Sequence, residues 1–319
     1  MGISQYIKEI GRGARGAKPL DRAQARDLFG QVLDGTVTDL EIGAFCLAMR
    51  IKGETPGELA GFLDATHARL DRFPATDTPL IVLPSYNGAR RLPVLTPLLA
   101  LLVAREGLPV VVHGTATESA RVLASNVLAA LDVPPLQAVR PIANGEVVFA
   151  PTGLLCPGLK RLLDVRRVVG LRNPGHSVVK LMQPGAGECV VVGSYTHPGY
   201  AESMASTFGL LGMTALLSRG LEGESAADPR RIGQVDGFVH GRHVARQARE
   251  PGTQAELPGL PAEIDIGTTA VYTRRVLAGG APVPDAIAQQ VAQIVQLVRL
   301  AQQARPVHPN QGTQETETS

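Results

Sequence analysis

The most constraining feature of this chain is a series of short apolar runs set between helical stretches. Leu80–Leu83, Pro109–Val112, Cys189–Val192 and Thr214–Leu217 run with almost no polar interruption. A strand that buries one face alternates polar and apolar residues, whereas a strand buried on both faces reads as a continuous apolar run. Between these runs, apolar residues recur at helical spacing. The repeated strand–helix order predicts an α/β fold with a large, mostly parallel sheet flanked by helices.

Residues 1 to about 72 read as wholly helical. Leu20, Ala23, Leu28, Val32 and Leu33 fall near helical spacing, and Asp34-Gly35 marks a turn. Thr38 with Glu41 is a capping-box pattern opening a helix over Ile42–Ile51, closed by Gly53. Thr55-Pro56 with Glu58 opens the next, through His67. A basic helical stretch follows near 158–184. Residues 285–304 form an amphipathic helix with apolar positions 287, 291, 294, 295 and 298. The polar tail, 306–319, reads as disordered.

Composition narrows the class. Hydrophobic residues make up 44% of the 319 and charged residues 19%, which is ordinary for a globular protein. The absence of Trp and an aromatic content of 4% argue against extensive base-stacking platforms. Cys46, Cys156 and Cys189 are odd in number and widely spaced, giving no CxxC pair and no disulfide framework. With an N-terminus that lacks the apolar core of a signal peptide, they point to the cytoplasm. The apolar run Leu95–Ala104 is broken by Pro97 and closed by Arg105, too short to span a bilayer, so no membrane partner is expected.

Residues 33–65 resemble the N-terminal helical domain of anthranilate phosphoribosyltransferases and their relatives, the pyrimidine nucleoside phosphorylases. Gly35, Asp39, Ile42, Gly43, Ala44, Phe45, Lys52, Gly53, Glu54 and Glu58 carry the likeness, which continues to about residue 225. It implies the nucleoside phosphorylase/phosphoribosyltransferase fold. A small helical lobe over 1–73, completed by helices near 160–184, would dimerise, and an α/β domain would span 76–305.

In that family a glycine-rich turn after the first strand holds a pyrophosphate on backbone N–H groups. The aligned residues here are Pro84, Ser85, Tyr86, Asn87, Gly88 and Ala89. Proline donates no N–H, and the tyrosine intrudes. Val94, Thr96 and Pro97 stand where the family places phosphate-binding side chains. Val112, His113, Gly114 and Thr115 replace a segment carrying a lysine, followed by a hydroxyl-bearing loop with Thr117 and Ser119. Glu222-Gly223-Glu224-Ser225 replaces the Asp-Glu pair that would hold Mg²⁺. Four altered elements serving one ligand imply that phosphoribosyl pyrophosphate is no longer the substrate. No catalytic residue, metal or cofactor is assigned.

Arg172 aligns with the arginine that meets the anthranilate carboxylate, but the surrounding segment has become RNPGHSVVK. Together with residues 7–13 and 20–29, that segment resembles the YbiB-type branch of the family, whose members bind nucleic acid. The resemblance implies a homodimer with a basic groove that takes DNA or RNA without sequence preference.

Such binding requires cations that face phosphates. Lys160, Arg161, Arg166, Arg167, Arg172 and Lys180 fall within one stretch whose only acid is Asp164, leaving a local charge of about +5 by formal counting. Arg90 and Arg91 sit at the old ligand mouth. Arg230-Arg231 and the Arg242, Arg246, Arg249 series read as exposed loop or strand edge. His240 and His243 have a metal-like spacing without a nearby Cys or acid cluster, so no zinc site is expected. Two rivals stay open: a divergent glycosyl transferase acting on a small aromatic or carboxylate substrate, and a scaffold whose basic surface meets an acidic protein.

Overall fold

A computed structural model describes residues 2–13, 15–117, 120–253, 257 and 259–304; Ser119 and the tail 306–319 lie outside the described residues. Four helices come first: α1 (Ser4–Ile10), α2 (Arg22–Asp34), α3 (Asp39–Lys52) and α4 (Pro56–His67). Capping boxes start three of them, at Asp21/Gln24, Thr38/Glu41 and Thr55/Glu58, each satisfying N–H groups that a helix start leaves unpaired. Glu58 is fully buried; it also accepts from Leu20 N and pairs with Lys52 Nζ at 2.6 Å.

The α/β region follows: β1 (Leu80–Pro84), α5 (Thr96–Arg105), β2 (Val110–Gly114), α6 (Ala124–Ala130), β3 (Val147–Pro151), α7 (Thr152–Leu155), α8 (Pro157–Val169), α9 (Gly175–Val178), β4 (Cys189–Tyr195), α10 (Pro198–Leu211), β5 (Thr214–Arg219), β6 (Val235–Val239), β7 (Arg242–Gln247), α11 (Ile266–Leu277) and α12 (Asp285–Gln303). The strands form one sheet in the order β3-β2-β1-β4-β5-β6-β7. The pairs from β3 to β5 are parallel, and β6 and β7 add an antiparallel hairpin. Arg242 and Arg246 thus lie on the outermost strand, where exposed charged side chains discourage further strand pairing, and Arg249 lies just beyond it.

Both faces of the sheet are covered, which explains the unbroken apolar runs. Leu80, Val82, Val111, Cys189 and Val191 face one core, shared with the helical lobe, α8 and α10. Ile81, Leu83, Val110, Val112, Val190 and Val192 face a second core under α5, α11 and α12. In the helical lobe Phe29 stacks on Phe62 at 4.7 Å, and Phe45 meets Phe62 edge-on at 6.0 Å. Helix α8 lies so close to α2 that a Cβ on Gly158 would sit 2.2 Å from Leu33 O.

Strand order reverses between β1 and β4. In open α/β sheets such a switch point leaves a crevice outside the carboxyl ends of the strands, where ligands bind. Among the described residues, no helix is long and apolar enough to cross a membrane.

Two buried histidines, His113 and His176, and the half-buried His67 contribute to the packed interior as neutral rings. Burial pushes His113 down to about 4. Burial, aided by Arg72, takes His67 to about 4. Burial, aided by Arg172, takes His176 to about 3. As pH falls below about 6.5, the unfolded chain binds protons that the native state refuses, so stability declines toward pH 4. Each ring accounts for on the order of 3 kcal/mol over that window. Urea unfolding should show a midpoint that drops steeply between about pH 6.5 and 4; a flat midpoint would mean the rings are not neutral by burial.

Candidate functional site: a self-filled phosphate cradle beside an arginine-lined cleft

The loop after β1 is shaped by close backbone approach. Ser85 N donates to His113 O, and Ser85 O lies 1.7 Å from where a Cβ on Gly114 would be. Only glycine fits at 114. Gly88 has φ +67 and abuts Val122 O, so it too needs a residue without Cβ. Paired bonds between Ala89 and Val122 pin the far side of the loop. Thr117 Oγ1 donates to Tyr86 O, and Thr115 is half-buried.

This loop turns two backbone N–H groups toward one point, and a carboxyl group of the chain fills it. Glu224 Oε1 accepts from Asn87 N at 3.0 Å and Gly88 N at 2.8 Å. Its Oε2 is bonded by Ser85 Oγ at 2.5 Å and Thr96 Oγ1 at 3.1 Å. Glu224 is 3% exposed. Burial pushes its carboxyl above the usual range, against the pull of these hydrogen bonds. In either protonation state Oε1 serves both amides. Glu222 does the same one turn outward, accepting from Arg90 N at 2.9 Å and Arg91 N at 3.1 Å.

Ser85, Asn87, Gly88 and Thr96, read from sequence as remnants of a phosphate site, therefore do converge, but around an internal carboxyl. The acidic residues that would hold Mg²⁺ are the ones turned inward. To ligate a metal on a pyrophosphate, Glu224 would have to abandon four hydrogen-bond partners, so this arrangement does not fit that group. His113 is fully buried and, among the described residues, neither ring nitrogen has a partner. Tyr86 is 1% exposed and packs into the core edge-on to His176, with Lys180 Nζ 5.9 Å from its ring centre.

The basic stretch from Lys160 to Lys180 does not present one face. Lys160 pairs with Asp164 one helical turn on. Arg161 donates to Leu33 O at 2.7 Å, satisfying a carbonyl at the end of α2. Arg166, Arg172 and Lys180 gather around His176, whose charging they oppose. Arg167 reaches Ala116 O, beside the loop after β2, and stays 61% exposed. Arg172 Nη2 donates to Asn87 Oδ1 at 2.9 Å, tying this segment to the β1 loop. Asn173, buried, fixes the segment by donating to Leu162 O.

A cleft of about 530 Å³ opens at the switch point. Arg90, Arg91, Arg121 and Arg172 line it from elements around the β1 loop. Arg219, Arg230, Arg231 and Arg249 line it from β5 and the segments after it. Glu222 and Asp228 are the carboxylates of its lining. The sequence places Arg230, Arg231 and Arg249 on an exposed loop or strand edge and does not single out Arg219; the fold gathers all four at this cleft from separate segments. His240 and His243 approach different acids, Glu188 and Asp236, and so do not share a site. Cys46, Cys156 and Cys189 are buried; burial pushes the Cys46 thiol to about 12 and Cys189 to about 11, where thiolates are scarce.

The fold and this altered cradle define the class: the chain belongs to the anthranilate phosphoribosyltransferase-like glycosyl transferase family. Residues 4–69 match the glycosyl transferase family helical bundle domain. Within the family, the chain is 40% identical to Escherichia coli K12 protein YbiB, over 92% of this chain and 93% of that one. It is 29% identical to the anthranilate phosphoribosyltransferase of Saccharopolyspora erythraea, over 85% of this chain and 78% of that one. Anthranilate phosphoribosyltransferase from Thermus thermophilus superposes with a TM-score of 0.70 at 23% identity, covering 94% of this chain and 88% of that one.

Replacing Glu224 separates the plug from the fold around it. Glu224→Gln keeps an oxygen for both amides and should change stability by less than about 1 kcal/mol. Glu224→Ala strands two buried N–H groups and should cost about 3 kcal/mol by urea unfolding, partly restored by millimolar inorganic phosphate. Equal losses in the two variants would show that the amides do not depend on this carboxyl.

Proposed function

We propose that this chain binds nucleic acid, DNA or RNA, without sequence preference and as a homodimer, on a transferase fold whose phosphate-donor site its own carboxyls close. The observation that carries this reading is the balance of the site. The cradle's amides are already satisfied by Glu224 and Glu222, while eight arginines against two carboxylates line the cleft beside it. Arginine forks bind phosphate oxygens in pairs and release counterions, giving affinity without base reading. Arg90 and Arg91 are exposed at the mouth, Arg172 lines it, and Arg167 stands by the neighbouring loop. Lys160 and Arg161 take structural parts in this scheme, since their charges are committed to Asp164 and to the end of α2.

Dimerisation is supported by an uncovered stripe on α3. Leu40, Leu47 and Ile51 follow one another by seven and four residues and are 84%, 48% and 57% exposed. Replacing Leu47 and Ile51 together by Glu should yield a monomer by sedimentation velocity; a retained dimer mass would place the interface elsewhere.

Fluorescence anisotropy with a labelled random oligonucleotide tests the binding itself. Affinity should fall steeply between about 50 and about 200 mM salt. Arg90→Ala with Arg91→Ala should weaken binding to all sequences alike and lower the log–log salt slope by about 1 per lost contact. Binding that ignores salt would remove the phosphate-contact mechanism. Competition by phosphoribosyl pyrophosphate would instead favour a residual glycosyl transferase acting on a small aromatic or carboxylate substrate.

A further inference from the structure

One wall of the cleft has features that a sequence-blind phosphate track does not need. Arg230 and Arg231 both clamp Asp228: Arg230 Nε and Nη2 at 2.9 and 3.0 Å, Arg231 Nε and Nη2 at 2.8 and 2.6 Å. Asp228 is 8% exposed, so one buried carboxylate holds two guanidiniums side by side. Arg219, at the end of β5, and Arg249, beyond β7, line the same wall, and neither has a carboxylate partner among the described residues. Four cations against Asp228 leave a local formal charge of about +3, enough for a ligand with several negative charges.

The adjoining wall is built of amides. Gln293 Nε2 donates to Gln247 Oε1, and Gln247 Nε2 donates to Gln289 Oε1 at 2.9 Å, joining β7 to α12. This relay leaves the Gln289 amide group as donor at one end and Gln293 Oε1 as acceptor at the other. Among the described residues, Gln293 Oε1 has no partner, and neither has Ser218 Oγ, which lines the cleft and is 3% exposed. Buried polar groups are otherwise almost always paired, so these atoms mark places where a ligand's polar edge belongs. Tyr195, Pro198 and Ile232 supply apolar surface, and a volume of about 530 Å³ suits a small molecule.

We propose that this cleft binds a nucleotide bearing a 5′ polyphosphate, with Arg219, Arg230, Arg231 and Arg249 on the phosphates and the Gln247–Gln289–Gln293 wall on the base. Multiple guanidiniums suit a phosphate chain better than a single phosphate. The amide donor of Gln289 and the acceptor of Gln293 suit the polar atoms of a base, which inorganic polyphosphate lacks. The site goes beyond the strand-binding reading and does not depend on it.

Calorimetry on the full-length protein tests it, using ATP and GTP as probes with adenosine, guanosine and inorganic tripolyphosphate as controls. At least one triphosphate should bind about tenfold more tightly than its nucleoside and than tripolyphosphate. Arg249 is exposed, so Arg249→Glu should leave the fold intact by circular dichroism while weakening the triphosphate about tenfold or more. Gln289→Ala with Gln293→Ala should weaken the triphosphate but not tripolyphosphate. No heat with either triphosphate, or an unchanged affinity in Arg249→Glu, overturns the proposal. Equal binding of tripolyphosphate removes the base wall and overturns it as well. A 5′-triphosphorylated oligonucleotide binding more tightly than free nucleotide would assign the same chemistry to a strand end, and the reverse order to a free nucleotide. A 5′-hydroxyl oligonucleotide serves as the separate gauge of strand binding: its affinity should survive Gln289→Ala with Gln293→Ala, which leaves every arginine of the cleft in place, so loss of one activity can be told from loss of the other.

Discussion

The hydrogen bonds from the β1 loop to Glu224 are the interaction on which the site depends. Two backbone N–H groups that converge in a buried place must meet an acceptor, because an unpaired buried amide is costly. In a phosphate-binding loop the ligand can be that acceptor. Here the chain supplies it, with Ser85 and Thr96 completing the carboxyl's partners. The loop is thereby ordered without a ligand, and the segment carrying Glu222 and Glu224 is drawn across it. Gln290 extends the same constraint, bonding Ala227 N and Ser225 O and so locking α12 to that segment.

Closing the cradle shifts the available chemistry outward. Arg172 meets Asn87 of the loop at the position where the family would offer an arginine to a substrate carboxylate. Arg90 and Arg91 have their backbone amides fixed by Glu222 while their side chains stay at the mouth. The result is a rigid floor that makes no demand on a ligand and a rim of guanidiniums that does. That division separates the scaffold, which is common to a transferase family, from the site, where the chemistry of this chain is decided.

Density of charge along a chain is a poor guide to charge on a surface. The stretch from Lys160 to Lys180 carries the highest density, yet Arg161 caps α2, Lys160 serves Asp164, and Lys180 lies against Tyr86. The cations that gather in the cleft come from segments far apart in sequence, at Arg90, Arg121, Arg219, Arg230 and Arg249. Their meeting place follows from the reversal of strand order, which brings the ends of β1, β4 and β5 together.

The sequence by itself determined the architecture. Short apolar runs without alternation, set between helical stretches, read as strands covered on both faces, and Thr38/Glu41 and Thr55/Glu58 announce their helices through local bonds. It also marked the β1 loop as altered, because Pro84 and Tyr86 are visible departures from a glycine-rich turn. The strand Val147–Pro151 and the β6–β7 hairpin escaped; the hairpin's outer strand carries Arg, His and Gln on an edge where solvent tolerates them. What only the tertiary structure decided is the partner of each polar group. Glu224 lies 139 residues from Ser85, and no local pattern tells a carboxyl that faces solvent or metal from one that fills a cradle. Periodicity is a property of neighbours along the chain, whereas hydrogen-bond satisfaction is a property of neighbours in space.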